Sequence, residues 1–222
     1  METIRFDVEK RFDWAPAITE RLGELLRMFG VSVNRLRESI CVHKLNLQLA
    51  DGDICYITGA SGAGKTVLLN EMYGLAPAGE RIRLDEIALE SDKSLIDCVE
   101  GGLFDAVSLL SKAGLAEVFA LAQSPAALSD GQQYRYRLAR ALLSEKKYVF
   151  ADEFCSRLDR ISAAVISHNI RKLADAKKDR VFVLASAHDD LLVDLAPDVV
   201  VIKYLSGKTE VIYKDRRRSS EF

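Results

Sequence analysis

Residues 54–66 of the chain read ICYITGASGAGKT, and this stretch decides the fold. Its first part, residues 54–58, is a short apolar run that predicts a buried strand. Its second part, residues 59–66, satisfies the pattern G-x-x-x-x-G-K-[ST] in full, and residues 66–73 continue as a predicted helix. Glycines let the backbone fold tightly, so that several N–H groups point at one phosphate. The stretch therefore predicts a phosphate-binding loop between a strand and a helix.

The residue types of this loop indicate a nucleoside triphosphate bound with Mg²⁺. We expect Lys65 to reach the β- and γ-phosphates and the Thr66 hydroxyl to ligand the metal, with the helix N-terminus adding partial positive charge. The loop residues predicted to bind phosphate are Gly59, Ala60, Ser61, Gly62, Ala63, Gly64, Lys65 and Thr66. A dinucleotide site has no role for the Lys-Thr pair, and no Asn-Lys-x-Asp segment favours guanine. The loop alone leaves kinases and motor ATPases open.

A second apolar run ends in two carboxylates. Residues 148–153 read YVFADE, which predicts a strand followed by Asp152 and Glu153. A carboxylate in the first of these positions can hold Mg²⁺ through water, and the second can orient and polarise an attacking water molecule. We therefore expect Asp152 to be a metal residue and Glu153 to be the catalytic base.

Residues 128–132 read LSDGQ and precede an arginine-rich helix. This segment resembles the signature motif of the ATP-binding cassette (ABC) ATPases, Leu-Ser-Gly-Gly-Gln, with Asp130 in place of the first glycine. The resemblance implies that Ser129, Gly131 and Gln132 close over the γ-phosphate of an ATP held by a partner subunit. It implies a head-to-tail dimer with two ATP molecules at the interface. Ser129 and Gln132 also form the pattern of a helix capping box. The capping box and the signature motif are compatible interpretations of the same residues.

Three further segments resemble ABC motifs in the family's order. The segment 156–159 looks like the D-loop, so Asp159 would lie at the dimer interface. His188, after a buried strand, looks like the switch histidine that hydrogen-bonds the γ-phosphate and the attacking water. Phe12 resembles the aromatic residue that stacks on adenine, with Trp14 as its competitor. The other histidines, His43 and His168, are interpreted as structural.

The alternation of strands and helices predicts an α/β fold with a mostly parallel sheet. The resemblance, which covers residues 3–13 and 40–213, makes this a P-loop NTPase with an ABC-type core and a trimmed helical signature subdomain. We expect one domain over residues 1–222. Its predicted parts are a helical insertion at 14–38, a helical subdomain at about 75–133 and a basic tail at 214–222.

Composition restricts the class of protein. The chain has 222 residues, of which 49% are hydrophobic, and 31 Lys and Arg against 33 Asp and Glu give a formal net charge of −2. This balance disfavours nucleic-acid binding by bulk charge. The absence of an apolar run near ~20 residues and of an N-terminal apolar leader predicts a cytoplasmic protein. The four cysteines are expected to be reduced thiols.

The sequence also departs from the family pattern. No glutamine lies between Thr66 and Leu121, where the family has a residue that ligands Mg²⁺ and senses a membrane subunit. A carboxylate such as Glu86, Glu90 or Asp92 is a candidate replacement. Asp130 adds negative charge near the partner's γ-phosphate, which Arg135 or another cation would have to offset.

These departures shape the functional expectation. We expect an ABC-type ATPase that hydrolyses Mg-ATP to drive a conformational change in an unidentified protein partner, outside conventional transport. It would act as a homodimer or as a heterodimer with another cassette. The alternative is the energising subunit of a membrane transporter. A regulatory module that binds ATP without turnover is disfavoured by Glu153 and His188, and a nucleic-acid role is weaker still, since Arg216–Arg218 is the main basic cluster.

Overall fold

A computed structural model describes residues 2–12, 17–38 and 41–214 of the chain, without the side chains of Phe12, 36–38 and Cys41. Within these ranges the chain forms eight strands. They are β1 (Thr3–Phe12), β2 (Cys41–Ala50), β3 (Ile54–Thr58), β4 (Arg81–Arg83), β5 (Tyr148–Ala151), β6 (Val181–Ala185), β7 (Val199–Lys203) and β8 (Thr209–Tyr213).

Six of these strands form one sheet in the order β4-β5-β6-β3-β7-β8. All neighbours in it run parallel except β7 and β8, which form an antiparallel hairpin. Strands β3, β5 and β6 are buried along their whole length, as their continuous apolar sequences predict. The predicted α/β class and mostly parallel sheet are confirmed. The edge strand β4 was not predicted.

Helices cover both faces of this sheet, and a separate antiparallel pair, β1 with β2, packs on one of them. The helices are α1 (Glu20–Met28), α2 (Val33–Glu38), α3 (Lys65–Leu75), α4 (Leu103–Lys112), α5 (Val118–Leu121), α6 (Asp130–Leu143), α7 (Arg160–Lys177) and α8 (Leu192–Leu195). Helix α3 and the β1–β2 pair bury one face, and helices α6 and α7 bury the other. None of these helices combines the length and apolar character needed to cross a bilayer.

A third group of buried residues contains no residue of the sheet and packs α4 and α5 against α6. It joins Leu95 and Val99 to α4, α5 and a side of α6 that includes Tyr136, whereas Tyr134 and Leu138 of α6 pack with the residues of the sheet. Within the predicted helical subdomain, residues 94–121 form one 3₁₀ turn (Ile96–Cys98) and the helices α4 and α5. The breaks fall at 101–102 and 114, where positive backbone φ angles of 109° at Gly101 and 82° at Gly114 end helical geometry.

Candidate functional site

A cavity of about 540 Å³ lies where β3, β5 and β6 end. Parallel strands place the loops that follow them at one edge of the sheet, which is where α/β proteins bind ligands. The loop after β3 supplies Lys65 and Thr66, the loop after β5 supplies Asp152 and Glu153, and the loop after β6 supplies His188. The structure therefore brings these five predicted site residues to one cavity, together with Ser61, Gly62 and Gly64 of the predicted loop.

The predicted phosphate loop forms the floor of this cavity. Two of its glycines are required by close packing, because a Cβ on Gly59 would lie 2.1 Å from the Lys203 carbonyl oxygen and one on Gly64 would lie 2.2 Å from His43 Cε1. The backbone φ is +136° at Gly59 and +96° at Gly64, which favours glycine at both. Burial, and then the nearby Lys203 charge, lower the pKa of His43. The buried His43 ring packs against the loop at Gly64.

The side chains of this loop differ in their exposure to the cavity. Ser61, Gly62, Gly64, Lys65 and Thr66 line it, whereas Gly59, Ala60 and Ala63 do not. The Lys65 ammonium folds back over the loop and donates to the carbonyl oxygens of Gly59 and Ala60, at 2.8 and 3.0 Å.

The loop fits a nucleotide phosphate. Helix α3 begins after Gly64 without a side-chain cap, so no side chain closes its N-terminus. Free helix N–H groups and a nearby ammonium bind phosphate oxygens. Mg²⁺ is usually held by one or two protein oxygens together with the phosphates, and Thr66 and Asp152 both line the cavity.

The loop after β5 holds its two carboxylates by backbone geometry. Asp152 Oδ1 accepts a hydrogen bond from the Glu153 N–H at 3.0 Å, and Glu153 has a left-handed φ of 48°. The next two residues are buried, and the Cys155 N–H donates to the Tyr134 hydroxyl at 3.1 Å. Burial raises the pKa of the Cys155 thiol to about 12. The buried residues anchor the loop, while the Glu153 side chain stays exposed at the cavity.

Residues 186–189 are fixed on the opposite wall. The Tyr56 hydroxyl donates to the His188 carbonyl oxygen at 2.6 Å, and the Ser186 hydroxyl accepts from the His188 N–H at 3.3 Å. The Thr58 hydroxyl donates to the Asp189 carboxylate. Burial raises the pKa of Tyr56 to about 12, so that this hydroxyl remains a donor at neutral pH. The imidazole of His188 is thereby presented at the cavity from a fixed backbone.

The signature residues lie away from this cavity. Ser129 and Asp130 are exposed at the start of α6, where Ser129 Oγ accepts from the Gln132 N–H at 3.4 Å and Gln132 Oε1 accepts from the Ser129 N–H at 3.1 Å. Gly131 packs against the loop that follows Glu153. Arg135 donates to the carbonyl oxygens of Gly131 and Gly114, so its guanidinium is engaged by backbone oxygens.

Two other predicted residues have different positions. Asp159 is the N-cap of α7, where its carboxylate accepts from the Ser162 N–H at 2.9 Å. Hydrogen bonds from the side chain and the backbone N–H of Ser162 lower the pKa of the Asp159 carboxyl. Phe12 is the last residue of β1 and pairs with Cys41, and its side chain lies outside the described part. Trp14 also lies outside it.

The candidate carboxylates for the missing glutamine are engaged elsewhere or lie apart. Glu86 accepts from the Tyr73 hydroxyl at 2.5 Å, and Glu90 accepts from Tyr136 and Arg140. Asp92, the third candidate, does not line the cavity.

Sequence reasoning missed Arg83, the last residue of the unpredicted strand β4, and Asp85, which follows that strand. Asp85 lines a smaller cavity together with Asp152 and Glu153. Arg83 Nε lies 2.6 Å from Asp85 Oδ1, and Arg83 Nη2 lies 4.0 Å from Asp152 Oδ2, while Nη1 donates to Asn70. Arg83 therefore links the acidic edge of the site to helix α3. The position of Arg83 at the end of β4 allows these contacts, and no sequence motif indicates them.

A phosphate loop, two carboxylates and a histidine around one cavity at the sheet edge define a P-loop NTPase site. The family model described as "ABC transporter" matches residues 42–102. An aliphatic sulfonates import ATP-binding protein of Frankia alni is 30% identical over 216 residues, covering 86% of this chain and 85% of the relative. The lipoprotein-releasing system ATP-binding protein of Buchnera aphidicola is 29% identical over 208 residues, covering 78% and 90%. The chain belongs to the ABC family of ATPases.

Other comparisons agree on the fold. The dimeric structure of a bacterial ABC transporter cassette superposes with a TM-score of 0.60 at 21% identity, covering 78% of this chain and 92% of that one. An uncharacterized ABC transporter ATP-binding protein of Mycobacterium tuberculosis is 29% identical over 196 residues, covering 72% of this chain. The chain spans 58% of the length of that relative.

Proposed function

We propose that this chain binds Mg-ATP and hydrolyses it to ADP and phosphate as the energising subunit of a membrane transporter. The observation that carries the hydrolytic part is the single cavity that Lys65, Thr66, Asp152, Glu153 and His188 line together. The transport part is supported by the relatives, which are named as ATP-binding proteins of import and release systems.

The reaction assigns one task to each side chain. Lys65 exchanges its two loop carbonyl oxygens for β- and γ-phosphate oxygens. Thr66 and Asp152 would hold Mg²⁺, and the metal would neutralise phosphate charge. Glu153 takes a proton from the attacking water. At the same time the water oxygen bonds to the γ-phosphorus, and the bond between the γ-phosphorus and the β–γ bridging oxygen breaks. His188 donates a hydrogen bond to the γ-phosphate, and ADP and inorganic phosphate leave.

We further propose that two chains pair head to tail, so that Ser129, Gly131 and Gln132 of one chain meet the ATP of the other. Two observations support this arrangement. The signature residues lie outside the cavity of their own chain at a helix N-terminus, where Ser129 is exposed and Gly131 and Gln132 are half-buried. The structural neighbours are themselves described as dimeric cassettes. Asp159 would then lie near the interface, and Phe12 would stack on adenine.

A soluble ATPase outside transport, which the sequence favoured, becomes the second candidate. The relatives oppose it, since they are named as transporter ATP-binding proteins. It is favoured by one feature: the end of β4 and the segment after it carry the Arg83–Asp85 pair beside Asp152, and no glutamine lines this cavity with them.

The substitution Glu153→Gln tests hydrolysis. We expect turnover to fall by about 100-fold or more, because the water loses its base, while ATP binding survives. Phosphate release and ATP-dependent dimer formation by light scattering are the measurements. Glu145→Gln, an exposed position, is the matched control. Wild-type turnover in Glu153→Gln would reject the assignment of the base.

Fractionation of the native cells separates the two candidates. A transporter subunit is expected in detergent-solubilised membranes, in fixed ratio with a multispanning protein that stimulates its ATPase activity. A chain found in the soluble fraction, with full turnover as a dimer alone, would favour the second candidate.

A further inference from the structure

A cation to which the sequence analysis gave no role, Arg157 of the segment 156–159, lines the same cavity. Arg157 lies four residues after Glu153, and its side chain lines the cavity beside Lys65, Thr66 and His188. It also lines the adjoining cavity with Asp85 and Asp152. Within the part of the chain that the structure describes, its guanidinium makes no hydrogen bond or ion pair.

The loop that carries Arg157 is held rigidly on its other side. The Phe154 N–H donates to the Ala185 carbonyl oxygen at 2.7 Å, and the Leu158 N–H donates to the Cys155 carbonyl oxygen at 3.1 Å. Phe154 and Cys155 are buried, while Arg157 is exposed. Because the buried residues fix the backbone, the arginine is presented to the cavity without depending on its own contacts.

The charge of the cavity shows what this arginine can do. Asp152 and Glu153 place two negative charges on the lining, and Lys65 places one positive charge there. A nucleoside triphosphate adds negative charge beside these carboxylates, and Arg157 brings the lining cations to the same number as the carboxylates. A guanidinium binds phosphate oxygens through paired, charge-assisted hydrogen bonds.

We propose that Arg157 is a further catalytic residue, whose guanidinium binds the γ-phosphate of the ATP held by its own chain and stabilises the charge on it during hydrolysis. The inference rests on the proposed ATPase function and deepens it. A cationic finger of this kind acts mainly on the triphosphate, since ADP lacks the group that it contacts.

The test compares AMP-PNP with ADP in the presence of Mg²⁺. In Arg157→Ala we expect the affinity for AMP-PNP to fall about 10-fold, the size of one charge-assisted hydrogen bond, and the affinity for ADP to stay unchanged. Titrations are made at protein concentrations where light scattering shows a monomer. Turnover at saturating ATP should fall at least about 10-fold and be partly restored in Arg157→Lys.

Arg160→Ala is the matched control. Arg160 lies three residues further on, pairs with Asp190 at 3.0 Å and does not line this cavity. It should behave as the wild type in both titrations. Urea denaturation of each variant verifies that the fold is intact, and Arg157→Gln replaces Arg157→Ala if the latter unfolds.

The outcomes separate this inference from the function it rests on. Equal loss of both nucleotides, unchanged binding and turnover, or a loss confined to the dimer would each overturn the role of Arg157 in its own chain. If the wild-type chain itself neither bound AMP-PNP nor released phosphate from ATP, the proposed function would fail first.

Discussion

Two helices of this chain begin at loops that the sequence assigns to phosphate recognition, but their first turns differ. Helix α3 begins after Gly64, at a left-handed φ of 96°, and has no side-chain cap. Helix α6 begins after Ser129, whose hydroxyl and backbone form a reciprocal capping box with Gln132. The first helix N-terminus is open to a ligand, whereas the second is closed by its own side chains.

This difference changes the free-energy cost of binding a phosphate at each helix N-terminus. An uncapped N-terminus leaves N–H groups for phosphate at once. A capped one must exchange its own hydrogen bonds for those of a ligand, and a cap of this type contributes about 1 kcal/mol. ATP would therefore bind first at α3, and α6 would engage only when a second chain brings phosphate to it.

The substitution Lys65→Ala affects the open helix end most strongly. The affinity for AMP-PNP should fall by about 100-fold, or about 2.7 kcal/mol, because the charge-assisted bonds to phosphate are lost. Isothermal titration calorimetry measures this. Lys172→Ala, an exposed position on α7, serves as the control. Unchanged affinity would remove the reason for calling the α3 end the nucleotide site.

Substitution of Gly64 and of Gly131 by alanine compares how tightly the two helix N-termini are constrained. Gly64→Ala should destabilise the protein by about 2–4 kcal/mol, because the backbone is left-handed and the new methyl group meets the His43 ring. Gly131→Ala should change stability by about 1 kcal/mol or less, since its nearest neighbours are 3.3 Å and 3.4 Å from the new atom. Urea denaturation measures both. Equal losses would contradict the claim that the α3 loop is the more tightly constrained of the two.

The open helix end could be predicted almost completely from the sequence. The strand, the glycines and the Lys-Thr pair are local signals, and the structure forms strand β3, the loop and helix α3 from them. The buried strands β5 and β6 were equally clear, because continuous apolar runs have few alternatives in an α/β chain.

What could not be predicted depends on the path of the chain between these segments. Strand β4 has only three residues, Arg-Ile-Arg, which is too short for an alternating pattern. Its consequence, the position of Asp85 beside Asp152, therefore escaped prediction, and Glu86, Glu90 and Asp92 were named instead. Arg157 belongs to the segment that resembles a D-loop. Its position at the cavity follows from the left-handed backbone of Glu153 and Cys155, which the sequence pattern does not predict. The roles of the site residues stay predictions.

The substitution Ser129→Ala tests the closed helix end. It should lower the free energy of unfolding by about 1 kcal/mol through loss of the cap. The monomer should bind AMP-PNP as before, while ATP turnover that depends on the dimer should be lost. Ser129→Thr keeps a hydroxyl and is the matched variant, with stability near the wild type. Loss of nucleotide binding by the monomer would place Ser129 at its own chain's ATP and break the comparison.

The smallest effect concerns what holds α6 in place. Both α3 and α6 bury apolar residues, but α6 is in addition tied to Glu90 by the Tyr136 hydroxyl at 2.6 Å and by Arg140 at 3.0 Å. Burial alone would raise the pKa of Glu90, but the hydrogen bonds from Tyr136 and Arg140 outweigh it and lower the pKa below its ordinary value of 4.5.

This tie should make the stability of the α6 region dependent on acidity. A lowered folded-state pKa stabilises the protein above pH 4.5, and that contribution is lost as the pH falls through the folded-state value. Glu90→Gln should therefore cost about 1 kcal/mol at neutral pH and less in acid, where wild-type Glu90 is protonated as well. Urea denaturation at both pH values measures this, with Glu145→Gln as control. A cost independent of pH would mean that the shape of Glu90, rather than its charge, holds α6 to the segment after β4.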